Sequence, residues 1–242
     1  MDIIFTISLF VVAYLYASVG HGGASGYLAL MAFFGIMPEV MKSSALVLNL
    51  FVSLIAFALF LKGGYFRWKL LLPFLIASVP LTYIGARIDV SPDMYRKILA
   101  VCLLLATVKM IIPQKSTNTR TKYPNLFIAL LSGGIIGLVS GMIGIGGGII
   151  LSPLLIINKW ATIKESACIA AAFIFLNSAA GLYGLYSNHS LQFSENLVVW
   201  IVTAIAGGLL GSYIGANRLS SKGLKYFLSV VLLLASIKLF LQ

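Results

Sequence analysis

The sequence predicts an all-α polytopic membrane protein made of two inverted repeats, each a broken, re-entrant-like helical hairpin followed by three transmembrane helices. Three observations predict it. The composition is apolar and poor in charge. Ten apolar segments follow one another with little polar sequence between them. Four short motifs recur in the same order in the two halves of the chain.

Of 242 residues, 60% are hydrophobic and 10% charged, and the mean hydropathy is +1.04. Soluble domains are nearer about 45–50% apolar and about 25% charged. The net charge of +11 comes from 17 Lys and Arg against 6 Asp and Glu. In a soluble chain such an excess points to nucleic acid. Here the basic residues sit between apolar segments, where they orient a chain in a bilayer, so lipid is the expected partner and nucleic acid is not. Cys102 and Cys168 lie in apolar runs without a Cys or His at metal spacing, so neither a metal nor another cofactor is expected. The start, Met1-Asp2-Ile3, lacks the basic region of a secretory signal. With no nucleophile–base pair and no phosphate-binding loop, nothing points to an enzyme.

The apolar segments fall at 3–19, 24–36, 43–61, 70–86, 97–112, 125–142, 148–158, 166–186, 197–216 and 224–241. Residues 113–124 form a polar linker between a first repeat, 1–112, and a second, 125–242. Gly20-His21-Gly22-Gly23-Ala24 matches Gly144-Ile145-Gly146-Gly147-Gly148, and Lys42-Ser43-Ser44-Ala45 matches Lys164-Glu165-Ser166-Ala167. Tyr83-Ile84-Gly85-Ala86 matches Tyr213-Ile214-Gly215-Ala216, and Leu104 to Lys109 matches Leu233 to Lys238. The offsets of 124, 122, 130 and 129 are collinear, the signature of a duplication.

Residues 3–36, as one helix, would reach about 50 Å, against a hydrocarbon core of about 30 Å. Glycines interrupt the run midway, and those near 141–148 interrupt 125–158 in the same way. If each broken pair crossed the membrane once, the basic residues would divide 9 to 8 between the two sides. If each pair folds back, one side holds five (Lys42, Arg87, Arg96, Lys97, Lys238) and the other twelve. The second arrangement obeys the positive-inside rule. It gives each repeat three full crossings, and therefore an inverted pair with both termini outside.

Paired broken helices in inverted repeats mark secondary transporters with a midplane site. A helix break frees backbone N–H groups that must find partners in hydrocarbon; lining a cavity, they suit an anion at a positive helix end. The candidate substrate-binding residues are Gly20, His21, Gly22, Gly23 and Ser25 in the first break, and Gly144, Gly146, Gly147 and Gly148 in the second. Asn49 and Asn177 join them as amides inside apolar helices. His21 is the side chain in these segments that titrates near neutral pH, and so the candidate for proton coupling; the alternative is a neutral hydrogen-bonding histidine. For the glycines the alternative is close helix packing, which accounts well for Gly133, Gly134, Gly137, Gly207, Gly208 and Gly211. The expected substrate is a small anion; a channel-like facilitator for an anion or small neutral solute, and a non-transporting membrane subunit, are the competing readings. A homo-oligomer is compatible with the sequence.

Gly144 to Gly148 followed by Ile149-Ile150-Leu151-Ser152-Pro153, together with Gly20 to Gly26 followed by Tyr27-Leu28-Ala29, resembles the paired motifs of the TauE/SafE-type sulfite exporter family, the sulfite/organosulfonate permeases. The resemblance covers nearly the whole chain, although His21 stands where an apolar residue is expected. It implies transport, in the export direction, of sulfite, a sulfonate or another sulfur-containing anion across a prokaryotic inner membrane.

Overall fold

In the computed structural model, residues 3–18, 20, 22–111, 123–217, 233 and 236–240 are described. His21, most of the linker and most of the last apolar segment lie outside them. The helices are α1 (Ile3–Ser18), α2 (Ala24–Phe33), α3 (Pro38–Lys62), α4 (Trp68–Arg87), α5 (Pro92–Ile111), α6 (Leu126–Ile143), α7 (Gly148–Ile157), α8 (Ile163–Ser187) and α9 (Leu197–Asn217). No strand occurs among the described residues.

Helix boundaries depart from the apolar segments where caps extend them. α3 starts at Pro38, with Glu39 in its first turn; proline suits a first turn and an acidic residue its positive end. α8 starts after Thr162, whose capping box with Glu165 satisfies two backbone donors. The lengths run 16, 10, 25 and 20 residues for α1–α4 and 18, 10, 25 and 21 for α6–α9.

Among the described residues, five helices are long and apolar enough to cross a membrane: α3, α4, α6, α8 and Leu197–Gly215 of α9. α5 has the length, 20 residues, but carries Asp93, Arg96, Lys97 and Lys109. The two arms of each broken pair are unequal. α6 spans about 27 Å and α7 about 15 Å at 1.5 Å per residue.

Both pairs fold back, and from opposite ends of the molecule. Phe5 at the start of α1 packs on Phe34, just past α2, with ring centroids 5.2 Å apart. It also packs on Trp200 of α9, at 4.9 Å. At the other end, the Arg67 guanidinium lies 4.8 Å over the Tyr123 ring, before α6, and donates to the Trp160 carbonyl, past α7, at 2.9 Å. α3 and α8 run antiparallel. The start of α3 meets the end of α8 through Gln192 N–H donating to Ser43 Oγ (3.2 Å). Its far end meets the start of α8 through Arg67–Glu165 (3.7 Å) and Lys164 Nζ donating to Tyr65 OH (3.0 Å).

The outer helices exchange partners between the halves: α1 packs along α9, and α6 along α4. A glycine stripe makes each contact. Added β-carbons on Gly133, Gly137 and Gly141 of α6 would collide with the backbone of Phe74, Ser78 and Thr82; on Gly207, Gly211 and Gly215 of α9, with that of Phe10, Tyr14 and Ser18. Small residues every four positions let helix backbones touch where no hydrophobic effect drives association. Two large apolar cores and two small ones result. One large core unites α1, α2, α5 and α9 with the first half of α3; the other unites α4, α6 and α7 with the first part of α8.

Candidate functional site

The two short helices, α2 and α7, end at opposite ends of the molecule. Each is 10 residues long, about 15 Å or half a hydrocarbon core, so their N-termini meet in the middle. Gly23 caps α2 at φ 99° and Gly147 caps α7 at φ 76°, the left-handed region that glycine enters without steric cost. Neither start receives a side-chain cap. Tyr27 N–H donates to the Gly23 carbonyl at 2.9 Å, and Ile150 and Leu151 N–H both donate to the Gly147 carbonyl at 3.1 Å, so each start closes its first turn on its glycine, and two positive helix ends stand close together.

Gly22 and Gly146 face the same side chains. A β-carbon on Gly22 would lie 2.7 Å from Asn49 Oδ1 and 2.9 Å from Ile174 Cγ2. One on Gly146 would lie 2.9 Å from Asn49 Nδ2, 2.9 Å from Ile174 Cγ2 and 3.3 Å from Ser178 Oγ. Asn49 and Ile174 are each the twelfth residue of a 25-residue helix, about 17 Å from its start. The antiparallel α3 and α8 thus bring their midpoints to both breaks. Asn49 and Ser178 are fully buried. Neither amide atom of Asn49, nor the Ser178 hydroxyl, has a hydrogen-bond partner among the described residues. Buried polar groups are nearly always paired, and one left alone costs about 1–3 kcal/mol. An amide and a hydroxyl held unpaired between two uncapped helix starts form a donor set suited to an oxyanion.

The other sequence candidates take different places. Ser25 donates to Tyr16 OH at 2.8 Å, bracing α2 against α1. Asn177 donates to the Phe173 carbonyl at 2.9 Å, and its Oδ1 accepts from Thr82 Oγ1 at 2.8 Å, so its amide fastens α8 to α4. Gly147 turns its α-carbon toward Ile136 and Phe173, each 2.8 Å from an added β-carbon, and Gly148 turns toward Ile174 and the Ala170 carbonyl. Gly20 rests on Ala167 and Gly144 on Lys42. His21 lies outside the described residues.

Three residues escaped the sequence reading. Ile174 forms the apolar wall between the breaks. Ser178 lies four residues past Ile174 in α8. Lys42 falls before the apolar run 43–61, yet it lies in the second turn of α3, is 9% exposed, and donates to the Ala86 carbonyl at 3.0 Å. The capping that carries α3 back to Pro38 is the signal that places Lys42 inside the helix, seven residues before Asn49.

The sequence matches the family described as Sulfite exporter TauE/SafE over residues 5–239. It is 37% identical over 237 residues to the probable membrane transporter protein y4hK of Sinorhizobium fredii, covering 96% of each chain. It is 26% identical over 242 residues to a probable membrane transporter protein of Methanocaldococcus jannaschii, covering 92% of this chain and 89% of that one. A probable membrane transporter protein of Xylella fastidiosa is 28% identical over 192 residues, covering 73% and 68%. No solved structure matches.

Proposed function

The chain belongs to the sulfite exporter TauE/SafE family and is a multi-pass membrane transporter, and from that premise we propose that it is a secondary transporter which binds a small oxyanion between Gly22, Asn49, Gly146 and Ser178. The observation that carries the proposal is the fully buried Asn49 amide, without a hydrogen-bond partner among the described residues, between two helix starts that lack side-chain caps. Two hairpins that enter from opposite ends, an antiparallel α3 and α8, and the exchanged α1–α9 and α4–α6 contacts support two inverted repeats, 1–112 and 125–242, related by a pseudo-twofold axis near Asn49. That geometry lets one repeat rock against the other around a fixed site. Five basic residues on one side against twelve on the other support an inward-facing 113–124 linker.

The donor set is neutral and hydrogen-bonding, so it favours a tetrahedral or pyramidal oxyanion with several acceptor oxygens over a neutral solute. The family name supports sulfite, a sulfonate or a related sulfur anion as substrate, and export as the direction. His21, within the first break, is the group we assign to proton coupling.

The test is ligand-induced thermal stabilisation of the purified protein with sulfite, thiosulfate, sulfate, methanesulfonate and acetate. A substrate at 100 times its Kd stabilises by about 2.7 kcal/mol. A midpoint raised by one or more sulfur oxyanions, and not by acetate, supports the reading. No response to any of the five overturns it. Uptake against a gradient in vesicles then separates a coupled transporter from a facilitator.

A further inference from the structure

We infer that Lys42 is a second anion station, about 10 Å from Asn49 toward the end of the molecule where α3 begins, and that it is the residue which selects charged over neutral solutes. The inference rests on the transport reading above and names a residue outside the midplane site. Lys42 and Asn49 are seven residues apart, two helical turns, and therefore lie on one face of α3. The stem of Lys42 lies against the second break: a β-carbon on Gly144 would stand 3.1 Å from its Cγ and 3.0 Å from its carbonyl oxygen. The side chain thus runs beside the turn that leads down to Gly146.

An ammonium has three donors, and the Ala86 carbonyl takes one of them at 3.0 Å. No carboxylate among the described residues comes within ion-pair distance of Lys42. The acidic group whose field reaches it is Asp89, which faces Asn188 at 3.4 Å. A charge 9% exposed and without a contacting counter-ion is expensive to keep. The matching lysine of the other half is supported differently: Lys164 is half-buried, with Nζ 3.0 Å from Tyr65 OH and 4.9 Å from the centre of its ring. The midplane site is built of neutral donors, so Lys42, buried beside the second break, adds a full positive charge close to it.

Lys42 also caps the carbonyl end of α4, and the test separates charge from capping. Lys42→Gln keeps a donor for Ala86 and removes the charge; Lys42→Met removes both; Lys42→Arg keeps both. The full-length variants are purified and titrated with sulfite and sulfate by thermal shift, and [35S]sulfite counterflow is measured in proteoliposomes. The station predicts that Gln and Met both raise the half-saturating anion concentration about tenfold or more, the worth of one charge-assisted hydrogen bond, while Arg stays within a few-fold of wild type. It also predicts that ligand-free Lys42→Gln melts at or above the wild-type midpoint, because a buried charge without a contacting counter-ion is gone. Wild-type affinity in Lys42→Gln with a loss in Lys42→Met assigns capping alone and overturns the station. If wild type responds to no anion, the transport reading is what fails; the ligand-free comparison still decides Lys42, and a midpoint of Lys42→Gln below wild type overturns the claim of a buried charge without a contacting counter-ion.

Discussion

Gly22→Ala tests the site with one methyl group. Gly22 lacks the positive φ of its neighbours Gly20 and Gly23, so alanine meets no backbone strain there. Its β-carbon would stand 2.7 Å from Asn49 Oδ1 and 2.9 Å from Ile174 Cγ2, whereas ordinary contact begins at 3.4 Å. Both are side-chain termini, so the fold accommodates the methyl by pushing the Asn49 amide back by roughly 0.7 Å. A donor at about 2.9 Å from an anion oxygen then stands near about 3.6 Å, which is no longer a hydrogen bond. Hydrogen bonds to charged groups are worth about 1.5–3 kcal/mol, so affinity should fall about 10- to 100-fold. Gly147→Ala is the contrast: it meets Ile136 and Phe173 at φ 76°, and should lower stability before affinity. The assay is a thermal-shift titration with the best-binding oxyanion. A well-folded Gly22→Ala protein with wild-type affinity refutes the paired-break site.

Asn49→Leu replaces two unpaired buried amide atoms with a side chain of similar size. The ligand-free protein should gain about 1–3 kcal/mol, seen as a higher melting midpoint, while anion stabilisation disappears; retained stabilisation moves the site elsewhere. Gly211→Val drives a side chain into the Tyr14 carbonyl and should abolish the monodisperse peak in size-exclusion chromatography. A normal peak shows that the stripe is dispensable. Thr82→Val removes the Asn177 partner and should cost about 1–2 kcal/mol of stability with anion affinity unchanged; a parallel affinity loss brings Asn177 into the site. Single cysteines in 113–124 should be labelled by a membrane-impermeant maleimide only from the cytoplasm, and those in 187–194 only from outside. The opposite pattern reverses the topology.

Most of the fold was legible because membrane helices announce themselves one at a time. Ile3–Ser18, Leu126–Ile143 and Leu197–Asn217 each fall within a residue of an apolar run. The breaks were legible because glycine in pairs and triples is incompatible with an uninterrupted helix. The convergence of Gly22 and Gly146 on Asn49 was not, since it depends on α3 and α8 crossing at their twelfth residues. Nothing in a linear pattern distinguishes the free amide of Asn49 from the fastened amide of Asn177; the difference is Thr82, 95 residues away. Likewise Gly146 and Gly147 look equivalent in sequence, yet one faces Asn49 and the other the apolar core. Lys42 falls outside the apolar run and inside the helix, because hydropathy marks where an apolar run ends, whereas caps decide where a helix ends.

The exchange of outer helices sets an order of assembly. Phe10 of α1 meets Gly207 of α9, 197 residues later in the chain. At about 5–20 residues per second, α1 waits some 10–40 s after synthesis for the surface it will occupy. It can wait because every helix satisfies its own backbone, and because the glycines that make the seat lie on α9, leaving α1 an ordinary apolar helix in lipid. α4, by contrast, receives α6 soon after it is made. α4 therefore gains its partner early, whereas α1 stays unseated until α9 arrives; residues 236–240 dock later still, with Ser236 Oγ donating to the Ala100 carbonyl and Lys238 Nζ to the Phe33 carbonyl. A ribosome stalled before α9 leaves α1 unseated, which makes that helix the natural handle for quality control to recognise an unfinished molecule.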